Sequence, residues 1–369
     1  MKRKPPFMSK IFRSRPRNNS LGLLIVASGG LGDAVLFSLV LQRFAELANG
    51  NEQPTILIPE TTKKMSFIYG PNIETIAVDY NRIMKEGSYR RKIIRHLNKR
   101  DFRLVISTDY LRHPKKDEVL IRACQTAERI AMLPRPWKKY DRLLKNNFSM
   151  YDRMFESGPP VLDKVTRWSR FANWLTGQNL PPPMIRLPEE KRPTPSNLKK
   201  PAVILVPFSA VLEKQSPAAF WEEIAETLPA DYEVIVAGAP DDPEKNPSFL
   251  PLLKREHIKY CGATFEELAP ILRSAKLVIS VDTATMHLAV ALGTPTLCLA
   301  SAAYVNEIVP YAPEITPPNA HFIYTQIDCQ SCLGNCIHPP ENGMYRCVAR
   351  INPNPVKLRI HELLGETTR

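Results

Sequence analysis

Short apolar runs alternate with longer amphipathic stretches along most of the chain, in two series separated by one proline-rich interval. The first series opens with residues 21–27, a buried strand by pattern, followed by a helical stretch over residues 33–48. Strand-like runs recur at residues 55–58, 76–78 and 104–107, with a helix-like stretch at residues 83–99 before the last. Strand and helix in turn predict parallel strands joined by helical crossovers, hence a parallel sheet covered by helices.

The interval at residues 181–201 carries seven prolines among polar residues and sustains neither a helix nor a central strand. A second series follows, with strands expected at residues 202–206, 233–237, 277–281 and 296–299. Its helices carry start signals. Ser216 before Pro217 reads as an N-cap with proline at the first helical position, and Thr264 with Glu267 has capping-box spacing. A chain of 369 residues is too long for one core, so two domains are expected. The implied division is a disordered basic arm at 1–20, an N-terminal α/β domain at 21–180 and a linker at 181–201. A C-terminal α/β domain at 202–352 with a cysteine-rich loop at 329–347 follows, and a helix at 353–369 closes the chain.

The formal charge of +13 is unevenly placed. Residues 1–200 hold 38 Lys and Arg against 18 Asp and Glu, whereas residues 201–369 hold 12 against 19. The basic half is therefore the one suited to an anionic partner. Lys2, Arg3, Lys4, Lys10, Arg13, Arg15 and Arg17 stand in the arm with no acid beside them, a composition that suits peripheral contact with anionic lipid at the inner membrane as well as a solvated tail. No nucleic-acid motif accompanies the charge, and nucleic acid is not an expected partner. No apolar run reaches the length of a membrane span and the N-terminus lacks a signal-peptide core, so the expected location is the cytoplasm.

Chemistry concentrates where strands meet helices. The first strand runs into Ser28-Gly29-Gly30-Leu31-Gly32-Asp33; Gly30 and Gly32 permit close backbone approach to a phosphate or an acceptor at a helix N-terminus. Val35 stands where a dinucleotide fingerprint would need its third glycine, which argues against a nicotinamide site. Asp33 reads either as a helix-terminal charge or as a carboxylate at the mouth of the sheet. In the second half, Pro207-Phe208-Ser209-Ala210 and then Lys214 follow one strand. Asp282-Thr283-Ala284-Thr285-Met286-His287 follows another, where hydroxyls and a helix N-terminus suit phosphate. Alone, Lys214 reads as a surface residue and His287 as a structural one.

Cys329, Cys332, Cys336 and Cys347 place four of the seven cysteines within nineteen residues, among Gly334, Pro339, Pro340 and Gly343. Thiols kept reduced in a cytosolic chain suit tetrahedral zinc or iron as a structural ion, with unliganded buried thiols or an occasional disulfide as the alternative.

Taken in order and spacing over residues 21–357, Gly-Leu-Gly-Asp, the Pro-x-Ser-Ala turn with its following lysine, and Asp-Thr-x-x-Met-His-Leu-Ala resemble heptosyltransferases, glycosyltransferase family 9. The resemblance implies two Rossmann-like domains facing across a cleft, the glycosyltransferase type B fold, with acceptor on the N-terminal domain and ADP-sugar on the C-terminal one. It implies Asp33 as general base, Ser209 and Lys214 as donor-phosphate contacts, and Asp242 as an acid near the nucleotide ribose. Asp282, Thr283 and His287 match the donor motif, while Ala284 replaces its usual glycine. The implied reaction is inverting transfer of a sugar, a heptose in the family, to an anionic glycan or glycolipid such as the lipopolysaccharide inner core, without a catalytic cofactor. The alternative is a catalytically silent relative that serves as a binding or scaffold module.

Overall fold

The computed structural model describes residues 22–50 and 52–365. The expected arm at 1–20 and the end of the expected closing helix lie outside the described residues.

Two parallel six-stranded sheets organise the chain. The first contains β1 (Leu23–Val26), β2 (Thr55–Pro59), β3 (Glu74–Val78), β4 (Asp101–Ser107), β5 (Gln125–Met132) and β6 (Arg153–Phe155), in the order β3-β2-β1-β4-β5-β6. The second contains β7 (Ala202–Val206), β8 (Glu233–Ala237), β9 (Ile258–Cys261), β10 (Leu277–Val281), β11 (Thr296–Leu299) and β12 (Ala320–Ile323), in the order β12-β11-β10-β7-β8-β9. The central strands are unbroken apolar runs because both faces are covered: every residue of β1, β7 and β10 is buried. Register fixes them from both sides, Leu24 pairing with Thr55 of β2 and with Val105 of β4.

Four strands carry no clear apolar signal in the sequence. β5 interleaves half-buried Thr126 and Glu128 with apolar residues, β6 has three residues, and β9 exposes Lys259. β12, at the far edge, buries only Ala320 fully. Helix boundaries also differ from pattern. The stretch expected as one helix from residue 33 starts earlier, as α1 (Leu31–Ser38), and a separate short helix, Leu41–Ala45, follows it. Extended backbone at Glu86 divides the next expected helix into Tyr80–Lys85 and Gly87–Asn98. Pro217 is itself the N-cap of the helix Ala218–Glu226, so Ser216 lies one residue outside it. At Thr264 the capping box forms in both directions, with Thr264 Oγ1 accepting from Glu267 N and Glu267 Oε2 accepting from Thr264 N.

The two halves meet through helices. α1 leaves the end of β1 and α3 (Ala284–Leu292) leaves the end of β10; each covers its own sheet and packs on the other. α3 is therefore buried from Met286 to Leu292 rather than amphipathic. A third helix, α2 (Lys164–Thr176), locks α1 from behind, Trp168 meeting Phe37 edge-on with ring centroids 5.1 Å apart. One apolar core runs through both halves, containing Val35 and Phe37 with Met286 and Val290. The proline-rich stretch runs along the second half: Ile185 N donates to Ile315 O and Leu187 N to Ala291 O, and both side chains are buried. Among the described residues no helix is long and apolar enough to cross a membrane.

The crossing of α1 and α3 is tight at Gly32, where a Cβ would stand 3.0 Å from Cδ2 of His287 and would require that ring, anchored on its other side by Tyr311, to give by a few tenths of an ångström. Gly32→Ala should therefore cost roughly 1 kcal/mol of stability, overpacking against the anchored His287 outweighing the helix propensity that alanine adds. Urea unfolding measures it, and a midpoint equal to that of the parent chain would show that the halves do not lock there.

Candidate functional site

The order of the first sheet reverses between β1 and β4, and that of the second between β7 and β10. Loops leaving such strands diverge to opposite faces and open a crevice at the carboxyl edge. Asp33 stands in the first turn of α1, just after β1, Ser209 and Lys214 follow β7, and Asp282 follows β10.

On the first side, Asp33 turns back over its own helix start. Its Oδ2 accepts from Gly30 N at 3.0 Å, which leaves Gly29 no room for a side chain: a Cβ there would sit 2.6 Å from Cβ of Asp33. Its Oδ1 receives Lys164 Nζ at 2.6 Å, from the first turn of α2. Burial pushes the Asp33 carboxyl up, but the Lys164 ammonium and the Gly30 amide outweigh it and hold Asp33 below its ordinary value. Asp33 is an ionised acceptor at neutral pH. Beside it, Asp109 accepts from Ser28 N at 2.6 Å, and burial with the nearby Asp117 charge holds its carboxyl above the usual range. Asp33, Asp109 and Thr62 share a small pocket walled by Phe37, Tyr69 and Trp168.

On the second side, Lys214 Nζ donates to Asp282 Oδ2 at 2.7 Å in a pair almost wholly removed from water. Lys214 Nζ also stands 4.1 Å from the ring centroid of Tyr304. Thr283 is the extended N-cap of α3 but makes no capping bond with its side chain, so the first-turn amides are not satisfied by it. Its hydroxyl lies 3.4 Å from Ser280 Oγ. Ser209 closes its own turn, Oγ accepting from Val211 N and its carbonyl from Gln215 Nε2. Asp242 folds back in the same manner on Ala239 N, at 2.6 Å.

His287 joins the two sides. Its Nδ1 pairs with the Tyr311 hydroxyl at 2.7 Å while its other edge faces Gly32. Burial, only partly offset by Asp282 and Asp33, lowers the imidazole to about 4, so the ring is neutral at pH 7.

The thiols of Cys329, Cys332 and Cys336 lie within 4.8 Å of one another, Cys332 and Cys336 being 3.5 Å apart. Cys347 is buried nearby, outside that group but close enough to act electrostatically on Cys329 and Cys336. The three gathered thiols fit three ligand positions of one soft metal ion. Asp328 and His338 flank it, 2.6 Å from each other.

The fold thus pairs Lys214 with Asp282 and brings Gly32 and Asp33 toward His287. Ser209 and Asp242 each engage their own loops, and Gly30 borders open space. Lys164, Tyr311, Tyr304 and Asp109 escape sequence reasoning. Lys164 lies 131 positions from Asp33, and its sole local signal is Asp163, the N-cap of α2, whose side chain accepts from Thr166 N.

A sequence model of glycosyltransferase family 9 (heptosyltransferase) matches residues 148–334, just over half of the chain. No curated protein sequence matches it. Among solved structures the chain is similar to E. coli heptosyltransferase WaaC with ADP, at 18% identity over 93% of this chain and 100% of that one, with a TM-score of 0.66. It is similar to E. coli ADP-heptose lps heptosyltransferase II at 15% identity, 94% and 99% coverage and a TM-score of 0.64. The iron-containing dodecameric glycosyltransferase TibC from enterotoxigenic E. coli H10407 aligns at 15% identity over 93% of this chain and 76% of that one, with a TM-score of 0.52. At these identities the likeness establishes the shared fold of two Rossmann-like units.

A histidine held near 4 in the fold but near 6.5 when unfolded binds fewer protons in the native state between those values. Its contribution is complete above pH 6.5 and is lost as pH falls toward 4, at about 1.4 kcal/mol for each unit of separation. The parent chain should lose stability over that window more steeply than His287→Gln, in urea unfolding at a series of pH values. Parallel curves would show that His287 is not held neutral.

Proposed function

The chain belongs to glycosyltransferase family 9, the heptosyltransferase family, and from that premise we propose that it moves a heptose from an ADP-sugar to a hydroxyl of an anionic glycan or glycolipid such as the lipopolysaccharide inner core. The observation that carries this reading is the pairing across one crevice of an ionised carboxylate, Asp33, with a lysine and a helix N-terminus suited to a diphosphate, Lys214 and α3.

The donor sits on the second half. Lys214, the Ser209 hydroxyl, Thr283 and the first-turn amides at Ala284 and Thr285 meet the diphosphate, with Asp282 fixing the lysine and Asp242 near the ribose. The support is geometric, joined to the solved complexes of WaaC with ADP and with ADP-2-deoxy-2-fluoro heptose. The acceptor sits on the basic first half, residues 21–180, against the Gly30 to Asp33 loop.

The acceptor oxygen attacks the anomeric carbon as the bond to the diphosphate oxygen breaks. The electron pair leaves on the phosphate, where Lys214 and the amides stabilise it, and the acceptor proton passes to Asp33. One displacement inverts the anomeric centre, and no catalytic cofactor has a role. Lys164 keeps Asp33 ionised and aimed until the proton arrives. The protein works in the cytoplasm, and its basic residues 2–17 give it peripheral contact with the anionic inner membrane that carries such an acceptor.

Asp33→Asn should lower turnover by about a hundredfold or more while leaving ADP affinity unchanged by calorimetry. Lys214→Ala and Asp282→Ala should each weaken ADP by about tenfold. Near-normal turnover in the first removes the base; intact ADP binding in both of the others removes the donor site.

Cys329, Cys332, Cys336 and Cys347 would hold a zinc or iron ion, with the gathered thiols of the first three and the buried Cys347 nearby as support. It would supply structure alone, because four protein ligands leave no open position. Elemental analysis of untagged protein should find close to one equivalent. Less than about a tenth of an equivalent, with all thiols titratable in the native state, would exclude the ion.

A further inference from the structure

We propose that Tyr304 is a positioning residue for Lys214, and that the cysteine-bearing segment is the scaffold that sets it there; the inference rests on the reading of Lys214 as a donor contact. An ammonium has three N–H donors. Asp282 takes one from Lys214 at 2.7 Å, and the ring of Tyr304 lies against the same nitrogen, its centroid 4.1 Å away. Between a carboxylate and an aromatic face, in a spot where only a tenth of the lysine side chain reaches water, the ammonium has one direction left in which to donate.

Tyr304 ends the 3-10 turn Ala302–Tyr304. Its own carbonyl accepts from Ile308 N at 3.0 Å and Glu307 N at 3.2 Å, while the carbonyls of the two residues before it are held from the cysteine-bearing segment. Ser331 N donates to Ala302 O at 2.9 Å and Leu333 N to Ala303 O at 2.8 Å, while Ser331 Oγ donates to Val305 O at 2.8 Å. Ser331 and Leu333 adopt left-handed backbone, with φ of 64° and 57°, to bring both amides to one side. Gly334 has φ of 83° and no Cβ, which leaves room for the Tyr304 and Tyr345 hydroxyls. The same segment grips the neighbour of Lys214 directly, since Tyr345 N donates to Glu213 O at 2.9 Å. Ala302, Val305, Met344, Cys347 and Val348 form a small apolar core apart from those of the sheets. The segment with the gathered thiols therefore reaches the lysine at both ends, through the backbone of Glu213 and through the ring above the ammonium.

The test is ADP affinity by calorimetry in the full chain for Tyr304→Phe, Tyr304→Leu, Lys214→Ala and the double variant Lys214→Ala/Tyr304→Leu, each checked for an unchanged unfolding midpoint. Tyr304→Leu keeps apolar volume but loses the ring face and should weaken ADP about fivefold. Tyr304→Phe keeps the face and should stay within about twofold. Added to Lys214→Ala, the leucine should do nothing more, because nothing is left to position. Parent-like binding by Tyr304→Leu, an equal loss in Tyr304→Phe, or a full further loss on the Lys214→Ala background would each overturn the role of Tyr304 while leaving the donor site standing. Parent-like ADP binding by Lys214→Ala would overturn both readings together.

Discussion

The contact between α1 and α3 is the constraint on which the rest of the structure depends. Each helix starts at the carboxyl end of a central strand, so their starts carry the groups a crevice ligand would meet. Packing the helices on each other brings those two starts together, at Gly32 on one side and His287 on the other. Glycine at position 32 lets the two starts approach this closely without displacing the His287 ring. The contact also explains why α3 reads as apolar all round: one face lies on its sheet and another on the opposite half.

Around this contact the charges are arranged in two lysine–carboxylate pairs, Lys164 with Asp33 and Lys214 with Asp282. Removing a charge from water costs several kcal/mol, and an ion pair offsets this only with good geometry. Both pairs have it, at 2.6 and 2.7 Å. Each pair sits at the carboxyl end of a central strand, and each lysine neutralises its carboxylate without a counter-ion from solvent. His287 lies between them and stays uncharged, so it adds no further positive charge to a region that already holds two ammonium groups.

The fold was legible because the central strands are unbroken apolar runs. β1, β7 and β10 are buried on both faces, and burial writes itself as Leu, Ile and Val. β6, β9 and β12 escaped because edge strands carry polar residues and little length. The local motifs of the site were likewise visible, since a strand-to-helix turn is a contiguous stretch. Partnerships across the fold were not. Nothing near Lys164 in the chain distinguishes it from many other lysines of the basic half, and Tyr304 becomes notable only once the cysteine segment folds beneath it. Ser216 shows the complementary error: a residue with capping chemistry was displaced one position by a proline whose extended backbone caps the helix instead.

Ala284 is the residue at which this chain departs from the glycine its family motif usually has, and its placement indicates what the methyl does. It is the first residue of α3, in helical backbone that alanine favours over glycine. Its side chain packs against the core shared by the two halves. Close approach at this point is made from the opposite helix: a Cβ on Gly32 would come within 4.0 Å of Cα of Ala284, and Gly32 has none. With the methyl turned into the core, the amides of the first turn keep the direction in which a helix start offers them to an anion. Substituting alanine for glycine at that position therefore adds helix propensity and contact with the shared core.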